Sequence, residues 1–554
     1  MKSEEKDAKQ KENLSTFQPF SLPAFQPRAI IFYIIFFLFV LTFSSMTDNY
    51  DYDFWARLIA GMSVVQTGHV LRQDFLSYTP THPWFDHEWG SGVIFYLTQH
   101  FFSSAGILIL QALLVFLIFF VITKIVELRG VKTTSAYNFL FYYLAFSAMS
   151  DILNLPVRCQ LFSFLFFALF LYILELARKG ENRPLFALPF LMIVWNNLHG
   201  GCVSGIGLIV IYIVGELLNR KPVKKYIYAL IPTIFVLPVN PWGIEYLRFL
   251  WKATTMPRPE IMEWWGLFSK QNISGYMKFK VLASILVLTE LGVVIKQLIS
   301  KTFSFDKTKF LVLVITLFLA IQHTKLVPFF VISAVCFLYD DFYTAFNALT
   351  RNIFNRRANF KDTLIYLIFI IFVATNLNAK SFGPMLNFYK YPVKSVEFIK
   401  INGLKGNLLT NFGMGSYASY KLYPNNKIFM DGRYEEVYYD FMMPMLKSFF
   451  LVTSDWDELL KRFPPDVMIV EKFYPIYDTL KTGKVWKPIL NKKNVMVSKN
   501  TNSIHHYNWK LVFEEKYFGV FVRAKDVKKI YQKPSSNLDY YKNTLFDTDI
   551  NFKN

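Results

Sequence analysis

The sequence predicts a polytopic α-helical membrane protein of about 11 transmembrane helices followed by a C-terminal soluble α/β domain. Three observations predict it. The 554 residues are 53% hydrophobic and 18% aromatic, with 59 Phe, and the mean hydropathy is +0.28; such a chain is too apolar for a soluble protein and too polar to lie in a membrane throughout. Apolar segments of spanning length recur up to about residue 380, separated by short basic runs. Beyond that point short β-like runs alternate with helix-like stretches, the pattern of a small sheet domain.

The formal net charge of +20 raises nucleic acid as a partner. The Lys and Arg residues, however, cluster between apolar segments, which is the charge signature of membrane topology. Nucleic acid is therefore excluded as the reading. Cys159, Cys202 and Cys336 lie in or beside apolar segments without ligand spacing, so neither a disulfide framework nor a zinc site follows. Residues 1–28 form a mixed-charge leader with no small-residue cleavage site after it, and the first apolar run is expected to stay as an anchor.

Candidate spans centre on residues 29–46, 91–123, 134–150, 160–177, 185–198, 203–218, 226–238, 281–297, 309–323, 327–346 and 362–379. The second is long for one span, and its first part reads as an interfacial helix. With the leader cytoplasmic, every cytoplasmic loop (124–132, 178–183, 219–225, 296–309 and 351–361) is rich in Lys and Arg. The first exterior loop, 47–90, instead carries Asp48, Asp51, Asp53, Asp74, Asp86 and Glu88 against Arg57 and Arg72. The alternation orients the chain and puts the C-terminal domain outside the cytoplasm. Within that loop FWARLIAGMSVV has helical apolar spacing and is expected to lie flat on the membrane surface. Trp242, Trp251, Trp264 and Trp265 in the loop 239–280 suit a water-lipid boundary.

From residue 380 to 525 the runs NLLTN, KIFMD, DVMIV, KLVFEE and FGVFVR predict a largely parallel sheet with a closing C-terminal hairpin. Residues 526–554 are polar and rich in Asn and Lys, the composition of a loosely ordered tail.

Candidate chemistry gathers where polar residues meet the ends of apolar segments, since charges beside hydrocarbon are costly unless they serve a site. Asp51 and Asp53 follow the first span; a carboxylate there can take a proton from an attacking hydroxyl, or the pair can hold a divalent cation against a phosphate. His87 and Glu88 stand just before the next helix and can orient an acceptor, ligate a metal or act as acid; the same stretch also reads as a simple helix start capped by Asp86. His199 sits in NNLHGG, where Gly200 and Gly201 either bring it into a pocket or merely turn the chain. Arg158, Lys252, Arg258 and Lys325 are exterior cations, suited to a departing phosphate or, singly, to lipid headgroups. Glu290 is expected to pair with another helix. Asp431-Gly432-Arg433 follows a strand-like run, a common ligand position, but reads first as turn chemistry or an interdomain contact.

With these residues laid out, the chain resembles the GT-C glycosyltransferases, polytopic enzymes that use polyprenyl-phosphate-linked sugars, and within them the bacterial branch of aminoarabinose transferases and protein mannosyltransferase-like proteins. Asp51, ahead of Trp55-Ala56, stands where those families have an acid at the start of the first exterior loop, and His87-Glu88 stands where their second motif lies. A bacterial subgroup shares D-x-D-x-W, D-x-x-S-Y-T, H-E-W, R-x-Q, N-x-H-G-G, N-P-x-G, E-W and a C-terminal D-G-R, here Asp51–Trp55, Asp74–Thr79, His87–Trp89, Arg158–Gln160, Asn197–Gly201, Asn240–Gly243, Glu263-Trp264 and Asp431–Arg433. The pair Asp-Tyr-Asp departs from the Asp-Glu of better-known members, and Lys-Pro-Pro is missing from the second motif.

The resemblance implies an integral protein of a bacterial inner membrane that moves a sugar from a polyprenyl-phosphate donor to an extracytoplasmic lipid, glycan or protein. Asp51, with Asp53 as the alternative, would be the base. His87, Glu88, Arg158, Gln160, His199, Lys252, Arg258 and Lys325 would bind substrate and phosphate, with a divalent cation as an optional cofactor. A lipid-linked saccharide transporter is the alternative, distinguished by polar groups at the bilayer midplane and by repeated halves.

Overall fold

The computed structural model describes residues 27–45, 50–130, 136–153, 157–301, 305–354, 358–377, 391–490, 496–504, 509–527, 532–548 and 550–552. Asp48 and nearly all of the 1–28 leader lie outside the described residues. The membrane part runs α1 (Pro27–Ser45), α2 (Tyr52–Thr67), α3 (Trp89–Leu128), α4 (Ala136–Leu153), α5 (Gln160–Arg178), α6 (Ala187–Leu198), α7 (Val203–Leu218), α8 (Lys224–Phe235), α9 (Glu245–Thr255), α10 (Met277–Ile299), α11 (Lys307–Gln322), α12 (Val327–Phe354) and α13 (Ala358–Leu377). Each of the eleven apolar segments is helical over most of its described residues. Among the described residues five helices are long and apolar enough to cross a membrane: Trp89–Leu128, Gln160–Arg178, Gly200–Leu218, Met277–Ile299 and Thr324–Phe346.

A straight helix of 40 residues would be about 60 Å long, twice a hydrocarbon core of about 30 Å. The chain resolves the excess at Ser103 (φ 52, ψ −151), which breaks α3 into two helices, the first being the separate helix the sequence suggested. At the other end of α5, Arg178 ties Glu216 (2.9 Å) and Asp306 (2.7 Å), and Lys309 ties Glu290 (3.3 Å) and Asp341 (3.1 Å). Glu290 thus pairs with a neighbouring helix, as expected.

The loop helix α2 differs from its expectation. Its residues from Phe54 to Ser63 are all buried, because it is held between the first half of α3 on one side and the C-terminal domain on the other. Gly61 and Gly92 make the first contact close enough that a Cβ on Gly61 would come within 1.9 Å of the Gly92 carbonyl oxygen. On the second side Trp55 packs against Tyr417 and Tyr420. A helix apolar on both faces needs protein on both faces, so the stripe that suggested a membrane surface is covered by protein.

The C-terminal part carries α14 (Val393–Ile401), α15 (Phe412–Leu422) and α16 (Met442–Leu451), with strands β1 (Gly406–Leu409), β2 (Asn426–Ile428), β3 (Val467–Glu471), β4 (Lys484–Leu490), β5 (Met496–Ile504), β6 (Trp509–Glu514) and β7 (Phe518–Arg523). The main sheet has the order β2-β1-β3-β7-β6; β1 is parallel to β2 and β3, and β7 and β6 close it as an antiparallel hairpin. All five β-like runs are strands of this sheet, and β4–β5 form a separate hairpin. The first loop extends the sheet, since Tyr78 N–H donates to Ile428 O (3.0 Å) and Ile428 N–H to Leu76 O (2.9 Å).

The tail is seated rather than loose. Tyr420 donates to Phe546 O (2.8 Å), Lys421 to Thr544 O (2.8 Å), and Phe552 N–H to the Gln66 side chain (2.7 Å). Phe546 also packs on Trp55. Scattered aromatic residues in a polar stretch are enough to anchor it.

Candidate active site

A cavity of about 1240 Å³ opens between the membrane helices, the first loop and the C-terminal domain. Asp51, Asp53, His87, Glu88, Arg158, Gln160, His199, Arg258 and Lys325 all line it. Lys252 does not; it is exposed on α9.

Asp51 and Asp53 are two residues apart but play different parts. Asp51 is the N-cap of α2, its Oδ1 accepting from Asp53 N–H at 2.9 Å, and its side chain is almost fully buried. Capping satisfies one of the amides a helix start leaves open. Asp53, in the first turn, keeps its side chain 46% open. Arg158 binds both, at 3.2 Å to Asp51 and 3.4 Å to Asp53, and its other arm holds Glu263 at 2.7 Å. Although its side chain is partly open to the cavity, Asp53 sits in a recess walled by protein, and that desolvation, with the neighbouring Asp51 charge, pushes its carboxyl above the usual range against the pull of Arg158. Burial would also raise Glu263, but Arg158 and Lys325 hold it below its ordinary value.

A second cluster surrounds Arg57, a buried arginine on the apolar loop helix. Arg57 pairs with Asp86, with Glu436 at 2.8 Å and with Glu88 at 3.5 Å. His87 adds Nδ1 to Glu436 Oε1 at 3.1 Å, and Trp84 donates its indole N–H to Glu436 at 2.7 Å. Burial alone would lower His87, yet Glu88 and Glu436 push it up to about 9. Burial would raise Glu436, yet Arg57 and His87 hold it down at about 2. His87, Glu88 and Glu436 each offer a ligand atom within 4.8 Å of the others, but Arg57 and protonated His87 already supply the positive charge a metal would bring.

His199 is a neutral donor in this network. The Gly201 N–H donates to its Nδ1 at 3.0 Å, and the Ser163 hydroxyl lies 2.7 Å from the same atom. A backbone N–H only donates, so Nδ1 accepts and the ring proton sits on Nε2, which lies 3.3 Å from Glu88 Oε1. Burial and the charge of His87 keep the ring well below its ordinary pKa.

The remaining cations differ in availability. Arg258 stacks on Trp264 (4.3 Å to the ring centroid) and reaches Glu435 at 3.5 Å. Lys325 lies 3.6 Å from the centre of the same ring and makes no ion pair within 4 Å among the described residues. Trp264 is thus a platform for two cations.

The D-G-R loop docks the C-terminal domain here. Arg433 pairs with Asp431 (2.9 Å) and Asp74 (2.5 Å), and Thr79 donates to Phe429 O at 2.9 Å. The D-x-x-S-Y-T and D-G-R motifs therefore meet as an interdomain contact. A Cβ on Gly432 would stand 2.1 Å from Asp53 Oδ1, so the glycine lets this loop close over the acid. Sequence reasoning missed Arg57 and Glu436; the signal for the first was a lone arginine inside an apolar helical stripe.

No protein-family model matches the chain, and no curated protein matches it. Among solved structures, the apo oligosaccharyltransferase of Archaeoglobus fulgidus superposes with a TM-score of 0.57 at 9% identity, covering 89% of this chain and 80% of that one. The oligosaccharyltransferase AglB from the same organism, in complex with an inhibitory peptide and a dolichol-phosphate, gives 0.53 at 10% identity, covering 86% and 75%. The likeness is one of fold. The chain shares the GT-C-like architecture of these membrane enzymes, and with its several spans it is an integral membrane protein.

Proposed function

We propose that the chain is a membrane glycosyltransferase that passes a sugar from a polyprenyl-phosphate donor to an acceptor on the extracytoplasmic side, with Asp53 as the general base. The observation that carries this is the two-part chemistry of the cavity. Its acid-lined end continues into an apolar groove among α5, α7, α11 and α12, walled by Phe164, Phe167, Ile211, Ile315, Leu319 and Phe329. A lipid phosphate has the same division into a polar head and a hydrocarbon chain, and a dolichol-phosphate in complex with the similarly folded AglB supports such a donor.

Asp53 takes the proton of the acceptor hydroxyl as its oxygen attacks the anomeric carbon. The bond from that carbon to the phosphate oxygen breaks, the electron pair leaves with the polyprenyl phosphate, and one displacement inverts the centre. Asp51 is occupied as a cap and as a partner of Arg158, so the open acid is the better base. Lys325, which makes no ion pair among the described residues, meets the departing phosphate, while Arg158 and Arg258 hold the acids and Trp264 in place. Transport calls for polar groups at the midplane; the polar groups here come from loops at the helix ends, which favours chemistry.

The test is turnover by purified protein of a panel of polyprenyl-phosphate sugars with cell-envelope acceptors. Undiminished turnover by Asp53→Asn would remove the proposed base.

A further inference from the structure

The carboxyl ends of β1 and β2 open on the cavity through Asn411 and Gly432, and that of β3 lies beside them, Glu471 touching Asn411. β1 runs into Thr410-Asn411, β2 leads to Asp431-Gly432, and β3 ends at Glu471. Ligands of open α/β sheets bind at this edge. Asn411 lines the cavity, caps α15 by accepting from Met414 N–H at 3.0 Å, and donates its amide to Glu471 Oε1. Glu471 is 3% exposed and its second oxygen has no hydrogen-bond partner among the described residues; the buried Thr410 hydroxyl has none among them either. A strand of otherwise apolar residues has no structural need for a half-satisfied buried carboxyl, which is a cost that calls for a role.

Around Asn411 the wall is aromatic, with Tyr52, Phe412 and Tyr474 lining the cavity. Peptides are commonly taken by adding a strand to a free sheet edge. That mode is closed: residues 76–78 already occupy the β2 edge, and the other edge strand, β6, does not reach the cavity. Aromatic faces beside a fixed amide instead match a sugar ring, which offers C–H bonds on its faces and hydroxyls at its rim.

We propose that this crevice is the acceptor subsite and that the acceptor is a neutral saccharide, stacked on Tyr52, Phe412 and Tyr474 and hydrogen-bonded by Asn411, with Glu471 as the positioning residue that fixes the amide. The proposal rests on the transferase reading of the cavity, and it names the acceptor class that reading leaves open.

Two measurements separate the proposal from that reading. Hydrolysis of a polyprenyl-phosphate sugar by the wild type, without acceptor, reports on the donor chemistry alone. Binding of soluble neutral oligosaccharides of the gluco, manno and N-acetylglucosamine series to the full chain in nanodiscs, by titration calorimetry, reports on the crevice. The expected result is saturable binding that Tyr474→Ala and Asn411→Ser each weaken about tenfold, the size of one lost contact. Ser retains a helix cap but gives up the bond to the buried Glu471, so Tyr474→Ala, which leaves that pair intact, is the variant that reports on the crevice apart from the fold. Glu471→Gln keeps the affinity and Glu471→Ala loses it, a rescue that a merely structural acid would not show. No oligosaccharide binding, binding indifferent to these variants, or binding of synthetic peptides in their place overturns the proposal. Absent hydrolysis with variant-sensitive oligosaccharide binding would leave the subsite standing and sink the transferase reading.

Discussion

Asp51→Asn and Asp53→Asn separate two acids that the motif D-x-D leaves equivalent. Losing a positioned base slows transfer by ~10²–10⁴-fold, the outcome expected for Asp53→Asn. Asp51→Asn retains a capping side chain and removes the like charge beside Asp53. At an effective dielectric of about 20, two unit charges ~6 Å apart repel by about 3 kcal/mol, ~2 pK units. The Asp53 side chain is 46% open to the cavity, and screening by that water reduces the effect to about one unit. Because Asp51 helps to hold Asp53 high, removing its charge lets Asp53 ionise at lower pH. The acid limb of turnover in Asp51→Asn therefore moves down by about one pH unit while activity persists. Arg158→Gln removes the opposing charge and moves the limb upward. The assay is turnover of a polyprenyl-phosphate sugar by detergent-purified protein across the acid and neutral range. An inactive Asp51→Asn beside an active Asp53→Asn, or an upward shift in Asp51→Asn, would refute the assignment.

Lys325→Gln removes a cavity cation that makes no ion pair among the described residues and stands over Trp264, and should raise the donor KM by about tenfold or more; an unchanged donor KM would contradict its phosphate role. Arg433→Ala strands the buried Asp74 and Asp431 carboxylates and should cost ~3–5 kcal/mol, seen as easier release of the C-terminal domain by limited proteolysis; wild-type resistance would argue against the clamp. His87, raised to about 9 in the fold from about 6.5, contributes stability that is complete below about 6.5 and is lost as pH rises through 9. Glu436, held at about 2 from about 4.3, contributes stability that is complete above that value and is lost as pH falls through 2. The thermal midpoint should accordingly decline on the alkaline side, and His87→Gln should flatten that limb. Chelation should leave transfer intact, because Arg158 fills the space among Asp51, Asp53 and Glu263, and Arg57 with His87 fills the other cluster; loss with EDTA that manganese restores would overturn this.

The helices and the five strands of the main sheet were legible because hydrophobic period and length are local properties of a sequence. The convergence of Asp53, His87, His199, Arg158 and Lys325 was legible only as a shared membrane face. What stayed hidden depends on partners far along the chain. Whether Asp51 or Asp53 is open follows from a cap and a shared guanidinium, and Glu436 looked like one more acid in a short helical turn until Arg57 and His87 surrounded it. The polar tail misled because composition averages over Phe546 and Phe552, the two residues that hold it.

The strand of loop residues 76–78 laid along β2 bears on how the domain behaves when cut free. Severed from the membrane portion, it would present β2 as a bare row of amides and carbonyls, the kind of margin that recruits a neighbouring chain. Soluble fragments starting near residue 391 should therefore self-associate, and adding the 76–78 stretch back as a peptide should keep them apart.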